Sequence, residues 1–419
     1  MDHTTIPTVQ YLYALLIAVS ITCMIGVGTN TMPPRWDARY YVNMAQHGVA
    51  GNPNLRAPFA YRIGMPFMSR AVAELLSVSI ERGFRIVAWG FAVFLLMGIF
   101  AIAREFTEDY RHALMTMLLL SLSATHIKFS LFFYTLVDVS GYALIVAAFW
   151  ALITKRLILC LIVSSVGLLF KEWLAIPWFI LCLTLAGALW QTKSRRDFVF
   201  LVIAIASGAG MILLPRIYIS VASTGQFLDP INDPRTLRGL ISVWSEEGRL
   251  FNIFYAMASY WLPTLILLTA SRFHRLWSDL KGFCLNVMSG CLLLVLLLTM
   301  YGGANIFIFV SYSVAVQAIV LALLFRYRIS TAEKIYVVVA MLLYNKILLP
   351  IPLPAESLAA YIDFYGGWST RVTLSTLMRF IEIGVFVLLA AGVRAIMARL
   401  QDASSGVGRS ACSSARIDR

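Results

Sequence analysis

Asp37 is the only carboxylate in Pro33-Pro34-Arg35-Trp36-Asp37-Ala38-Arg39-Tyr40-Tyr41, a polar, aromatic and basic stretch that runs on to Gly48 and is followed by Ala57-Pro58-Phe59-Ala60-Tyr61-Arg62. A carboxylate at a membrane surface, with partial burial raising its pKa, can take a proton from an acceptor hydroxyl. Pro33-Pro34 can start a helix and Gly48 can end one, so Trp36 to His47 is predicted as a short interfacial helix. Asp37 then falls in its first turn, with Tyr40 and Tyr41 three and four residues on along the same face. The plainer reading of Asp37 is an N-terminal cap facing water, since Asp is favoured there in any helix.

The elements that must position this stretch are read from composition. Apolar residues make up 60% of the 419 residues, charged residues only 13%, and mean hydropathy is +0.80. Soluble domains are nearer half apolar and a quarter charged. The fold class expected is therefore all-α: a polytopic integral membrane protein of one domain over residues 1–400, with a disordered cytoplasmic tail over 401–419. Apolar length and flanking charge place helices at 9–29, 85–103, 113–126, 136–153, 157–170, 173–190, 198–219, 251–270, 283–301, 306–325, 335–353 and 377–398, about twelve crossings. The runs at 113–126 and 157–170 are short, so they extend into their flanks, tilt, or stop at a cavity. Ile63–Ile80 carries Arg70 and Glu74 near its middle and reads as an amphipathic helix lying in the interface. The first apolar run is expected to be retained, because no Lys or Arg precedes it and no small-residue cleavage site follows.

The formal charge of +13 is read as topology, with no nucleic-acid partner, because Lys and Arg sit in short clusters between apolar runs. Lys155-Arg156, Lys193 with Arg195-Arg196, Arg272 with Arg275 and Lys281, and Arg326 with Arg328 and Lys334 all follow even-numbered helices, which makes those loops cytoplasmic. The unusual polar residues then gather on the outward side: Asp37, Arg56, Tyr61-Arg62, His126 with Lys128, Asp138, Lys171-Glu172, Asn305, and Tyr361 to Trp368 with Arg371. Lys171-Glu172 interrupts two apolar runs with no room for a loop, which suggests either a functional pair or a Lys-Glu pair satisfying itself at headgroup level. Asn345-Lys346 is placed deeper in its helix, and Arg379 and Glu382, three apart, are expected to pair.

The six cysteines offer no disulfide framework and no C-x-x-C site. P-loop, dinucleotide, His-Glu-x-x-His and Gly-x-Ser-x-Gly motifs are absent, as is any Asp-x-Asp pair. A divalent cation such as Mg or Mn thus has only scattered carboxylates to bind it.

Trp36-Asp37-Ala38-Arg39-Tyr40-Tyr41, Ala57-Pro58-Phe59-Ala60-Tyr61-Arg62-Ile63-Gly64-Met65-Pro66 and a later outward Phe170-Lys171-Glu172, after a retained first helix, resemble the GT-C superfamily of integral membrane glycosyltransferases. That resemblance implies a polyprenyl-phosphate sugar donor, a glycan, lipid or protein acceptor, and an acidic catalytic residue in the first extracytoplasmic loop, a role that maps onto Asp37. A lipid-phosphate leaving group needs cations, for which Arg56, Arg62, Lys128, Lys171 and Arg371 are available, and the acceptor needs one base. Tyr40, Tyr41, Tyr61, His126, Asp138, Glu172 and Asn305 are candidates for substrate contact or support. The expectation is a transferase in the cell (inner) membrane, its site facing outward. The rivals are a multi-pass transporter or lipid-linked glycan flippase, and a non-catalytic subunit of an envelope-assembly complex.

Overall fold

The computed structural model describes residues 5–35, 37–52, 54–55, 59–222, 248–280, 282–301, 306–365 and 373–414, and these are helical throughout, without a strand. In chain order the helices are α1 (Thr5–Val27), α2 (Ala38–His47), α3 (Gly64–Leu75), α4 (Ile80–Phe106), α5 (Tyr110–Ser121), α6 (Lys128–Phe132), α7 (Asp138–Ile153), α8 (Leu157–Gly167), α9 (Ala175–Thr192) and α10 (Arg195–Ala222). They continue as α11 (Arg249–Tyr260), α12 (Leu262–Leu267), α13 (Ala270–Asp279), α14 (Phe283–Tyr301), α15 (Ile306–Val310), α16 (Val314–Arg326), α17 (Thr331–Tyr344), α18 (Leu358–Tyr365) and α19 (Leu374–Ser414).

Among the described residues, 6 helical segments are long and apolar enough to cross a membrane: Thr8–Val27, Ile80–Phe106, Glu172–Thr192, Arg195–Ile219, Ile306–Arg326 and Leu374–Leu400. The chain is accordingly an integral, multi-pass membrane protein by length and composition. Shorter apolar helices, α7 and α8 among them, pack between these. The segments differ sharply in what surrounds them. Ile306–Arg326 is 89% buried and largely apolar, and its Ser311, Ser313 and Gln317 side chains donate to carbonyls within the bundle. Arg195–Ile219 and Leu374–Leu400 are only 17% and 11% buried, so their apolar faces are left for lipid.

The start of α4 lies beside the end of α1. Arg85, near the start of α4, donates to the Thr31 hydroxyl just beyond α1 at 3.3 Å. Helix α3 between them has 12 residues, about 18 Å, which is too short to cross. Its buried face (Met65, Pro66, Ser69, Ala73) lies against α4. Gly83 is required there, because a Cβ would stand 2.3 Å from the Ser69 carbonyl oxygen.

Several helix boundaries differ from those expected, each for a visible reason. The run at 113–126 stops at Ser121, and the polar residues that follow, Ser123, Thr125, His126 and Lys128, are buried within the bundle. The run at 251–270 breaks at Trp261, next to Pro263. The run at 335–353 ends at Tyr344, with Lys346 in a left-handed turn at φ 48°. Asn345-Lys346 therefore closes a helix and is not deep inside one. Helix α19 runs to Ser414, into the 401–419 segment expected to be a disordered tail.

Candidate functional site

Asp37 sits one residue ahead of α2 in helical backbone geometry (φ −64°, ψ −30°), and its side chain makes no capping bond. The capping reading of this residue thus lacks its hydrogen bond. Tyr41, one turn along α2, is buried and accepts a 2.7 Å bond from Arg62 Nη1. Arg62 turns its other donors on Glu172, with Nε 2.8 Å from Oε2 and Nη2 on Oε1, a bidentate pair joining residues 110 apart in sequence. The Arg62 side chain is 12% exposed and that of Glu172 54%, so the arginine is fixed from inside and the carboxylate faces out.

Beside this pair lies a second. Lys171 Nζ is 2.8 Å from Asp138 Oδ1, with side chains only 6% and 10% exposed. The Tyr312 hydroxyl donates to the same oxygen at 3.2 Å. Asp138 opens α7, where the helix N-terminus favours a negative charge. Gly141 makes the approach possible, since a Cβ there would stand 2.6 Å from the Tyr312 hydroxyl and 3.2 Å from Lys171 Cβ. Lys171 and Glu172 are therefore not paired with each other. Consecutive residues in an extended turn (Lys171 φ −157°, ψ 132°) project to opposite sides, so each takes a partner from another segment.

Asp37 is the acid left over. It is exposed at its outer edge and makes no ion pair with a described residue, while Arg62, Lys171, Asp138 and Arg39 all act on it electrostatically. Burial of its inner side pushes its pKa above the ordinary Asp value, and the pull of Arg62 and Lys171 in the other direction does not cancel that rise. Burial likewise pushes the Tyr41 phenol up, which keeps it protonated. An unpaired carboxylate with a raised pKa, next to an ordered cationic wall, is equipped to take a proton from a hydroxyl brought beside it.

The remaining candidates divide. Tyr40 stacks on Phe59 with ring centroids 5.2 Å apart, and the Tyr61 ring lies 4.9 Å beneath the Arg216 guanidinium, so both flank the cluster as aromatic surface. His126 is fully buried, away from the outward loop expected for it. Its Nδ1 lies 2.9 Å from the Leu120 carbonyl and its Nε2 3.1 Å from the Tyr260 hydroxyl. Because the carbonyl only accepts, Nδ1 carries the proton and Nε2 accepts from the tyrosine. Lys128 is equally buried, with its ammonium donating to the carbonyls of Lys346, Ile347 and Leu349. All three of its donors are used in holding the turn after α17, so it is a structural clasp and not a free phosphate ligand. Lys346 donates to the Phe364 carbonyl at 3.2 Å, and Arg379 pairs with Glu382 as the spacing implied. Arg56, Asn305 and Arg371 lie outside the described residues.

Sequence reasoning missed Tyr312, Ser311 and Tyr260. With Ser123, Thr125, Tyr344 and Arg379, the last two line a buried polar cavity of about 30 Å³, room for roughly one water. The Ser-Tyr-Ser triplet at 311–313, a polar interruption in the most buried helix, was the available signal. Among the described residues no three His, Cys, Asp or Glu side chains come together as metal ligands. Among the described residues around Asp37, the carboxylates of Glu172 and Asp138 are taken up by Arg62 and Lys171. Comparison with protein-family models, with curated proteins and with solved structures finds no match to this chain.

Proposed function

We propose that this protein is a membrane glycosyltransferase that moves a sugar from a polyprenyl-phosphate donor to an acceptor hydroxyl on the extracytoplasmic side, with Asp37 as general base. The observation that carries this reading is the contrast among three neighbouring acids. Glu172 and Asp138 are each held by a cation, whereas Asp37 is unpaired with any described residue, has a raised pKa and opens to solvent. In this mechanism Asp37 takes the acceptor proton as the acceptor oxygen bonds to the anomeric carbon. The bond from that carbon to the phosphate oxygen breaks, the polyprenyl phosphate leaves with the electron pair, and Asp37 returns its proton to water. A single displacement of this kind inverts the anomeric centre.

The leaving phosphate is stabilised by cations and needs no acid. With Lys128 held by three carbonyls and Lys171 by Asp138, that task passes to Arg56 and Arg371 among the original candidates, and to the exposed Arg39 beside Asp37. The proposed topology has about twelve crossings, the shorter helices completing the six long ones. Asp37 faces outward and the basic clusters at 155–156, 193–196, 272–281 and 326–334 face the cytoplasm.

The experiment is transfer of radiolabelled sugar from a polyprenyl-phosphate donor in membranes carrying wild type, Asp37→Asn or Asp37→Glu. Loss with Asn and partial retention with Glu support the reading. Transfer by Asp37→Asn at the wild-type rate ends it. The second reading, a transporter or lipid-linked glycan flippase, draws on the buried polar cavity near Arg379, which at about 30 Å³ admits a water and not a sugar. Movement of labelled substrate across the membrane without a new glycosidic bond would favour it.

A further inference from the structure

A groove of about 750 Å³ opens between the end of α9 and the start of α10, far from Asp37 in the chain and at the junction of two membrane-spanning segments. Leu189, Trp190 and Phe198 supply its apolar lining, and Lys193 and Arg195 line it from the turn between the helices. Trp190 is 87% exposed and Phe198 54%, an unusual degree of exposure for large aromatic rings. Lys193 adopts a left-handed conformation (φ 52°) that ends α9 and brings the chain directly into α10, so that the two cations lie two residues apart at one level. Neither forms an ion pair with a described residue. The nearest acid in sequence, Asp197, accepts from the Thr192 hydroxyl at 2.9 Å and forms no ion pair with either cation.

We infer that this groove is a binding site for an anionic phospholipid. The acyl chain lies between Trp190 and Phe198, and the headgroup phosphate meets Lys193 and Arg195. Three features of the place select a lipid as the occupant. The helices on either side are mostly unburied along their apolar windows, at 39% and 17% buried, so lipid already surrounds the groove. The turn at 193–194 joins two spanning segments and so lies at headgroup depth, where tryptophan and basic side chains concentrate. Paired cations above an apolar trough match a phosphate joined to a chain, and basic pockets between membrane helices on the cytoplasmic side recognise such headgroups. The inference is independent of the glycosyltransferase reading, since it needs only the membrane-spanning segments.

The test uses the full-length protein in nanodiscs. Fluorescence of wild type minus that of Trp190→Phe isolates the Trp190 signal, and dibrominated phosphatidylglycerol or phosphatidylcholine is the quencher. The expected result is stronger quenching by the brominated phosphatidylglycerol, with its half-saturation shifted about tenfold or more in Lys193→Gln/Arg195→Gln, as the loss of two phosphate contacts implies. All three substituted side chains are exposed, and native mass spectrometry of lipid retained by wild type alone provides a readout that needs no variant. Preferential retention of phosphatidylglycerol supports the site. Equal quenching by the two lipids, or an unchanged half-saturation in the double variant, overturns it.

Discussion

At one end of the bundle Glu333 receives Arg272 Nη1 at 2.8 Å and Nη2 at 3.1 Å, the Ser330 amide at 3.0 Å and the Ser330 hydroxyl at 3.1 Å, with Arg394 a further 3.7 Å away. At the other end Glu172 and Asp138 each receive a cation, and Asp37 receives none from the described residues. The Glu333 cluster includes a complete capping box at the start of α17 and ties that helix to α13 and α19. Nothing there is left to react. The Asp37 end uses the same kinds of side chain but stops one pair short, and the carboxylate left over has a raised pKa. Saturated ion clusters hold helices together, while an unsaturated one beside them keeps a charge available.

The contrast can be broken most forcefully at Asp37. Asp37→Asn is expected to lower sugar transfer by about a hundredfold or more, the scale of a lost general base, while thermal unfolding in detergent stays close to wild type. Next in size are the saturated acids. Glu333→Gln leaves Arg272 11% exposed and unpaired, and Asp138→Asn does the same to Lys171 at 6%, so each should cost about 3 kcal/mol in detergent unfolding. A double-mutant cycle of Asp138→Asn with Lys171→Gln should recover part of that loss, and strict additivity would show that the pair is not coupled.

A smaller effect sharpens the electrostatics. Because the Asp37 pKa is raised, the base is ionised only above a higher pH than a free Asp, and transfer should fall as pH drops through that raised value. Arg62 pulls the pKa down, so Arg62→Gln should move the acid limb of the pH–rate profile to higher pH. A limb that stays in place would remove Arg62 from the field felt by the base. Smallest of all is the exposed Arg70–Glu74 pair on α3, with side chains 43% and 63% exposed, where Glu74→Gln should change stability by under about 0.5 kcal/mol.

Much of this was legible in the chain. Long apolar runs located α1, α4, α14 and α19 to within a few residues at one end each, and two central charges set Ile63–Ile80 apart from the spanning runs, in keeping with the 12-residue α3 found there. Arg379–Glu382 was legible because i,i+3 spacing alone brings the two together. The pairs that build the site were not. Arg62–Glu172 spans 110 residues, and local periodicity says nothing about which distant segments meet. The same limit left Lys171-Glu172 open between a functional pair and mutual partners, which only the packing decides, and made Lys128 look like an available cation. Adjacency in sequence shows which charges are present, whereas tertiary packing decides which are consumed.

Lys128 also sets an order of manufacture. Its three carbonyl acceptors lie 218 to 221 residues further along the chain, so they do not exist when α6 leaves the ribosome. Until Leu349 has been made, this ammonium lacks the acceptors that take it up in the folded bundle, and burying it before then is costly. Closure of the clasp is then an event of late biogenesis, and a chain cut short before residue 346 would lack all three carbonyls that receive this charge.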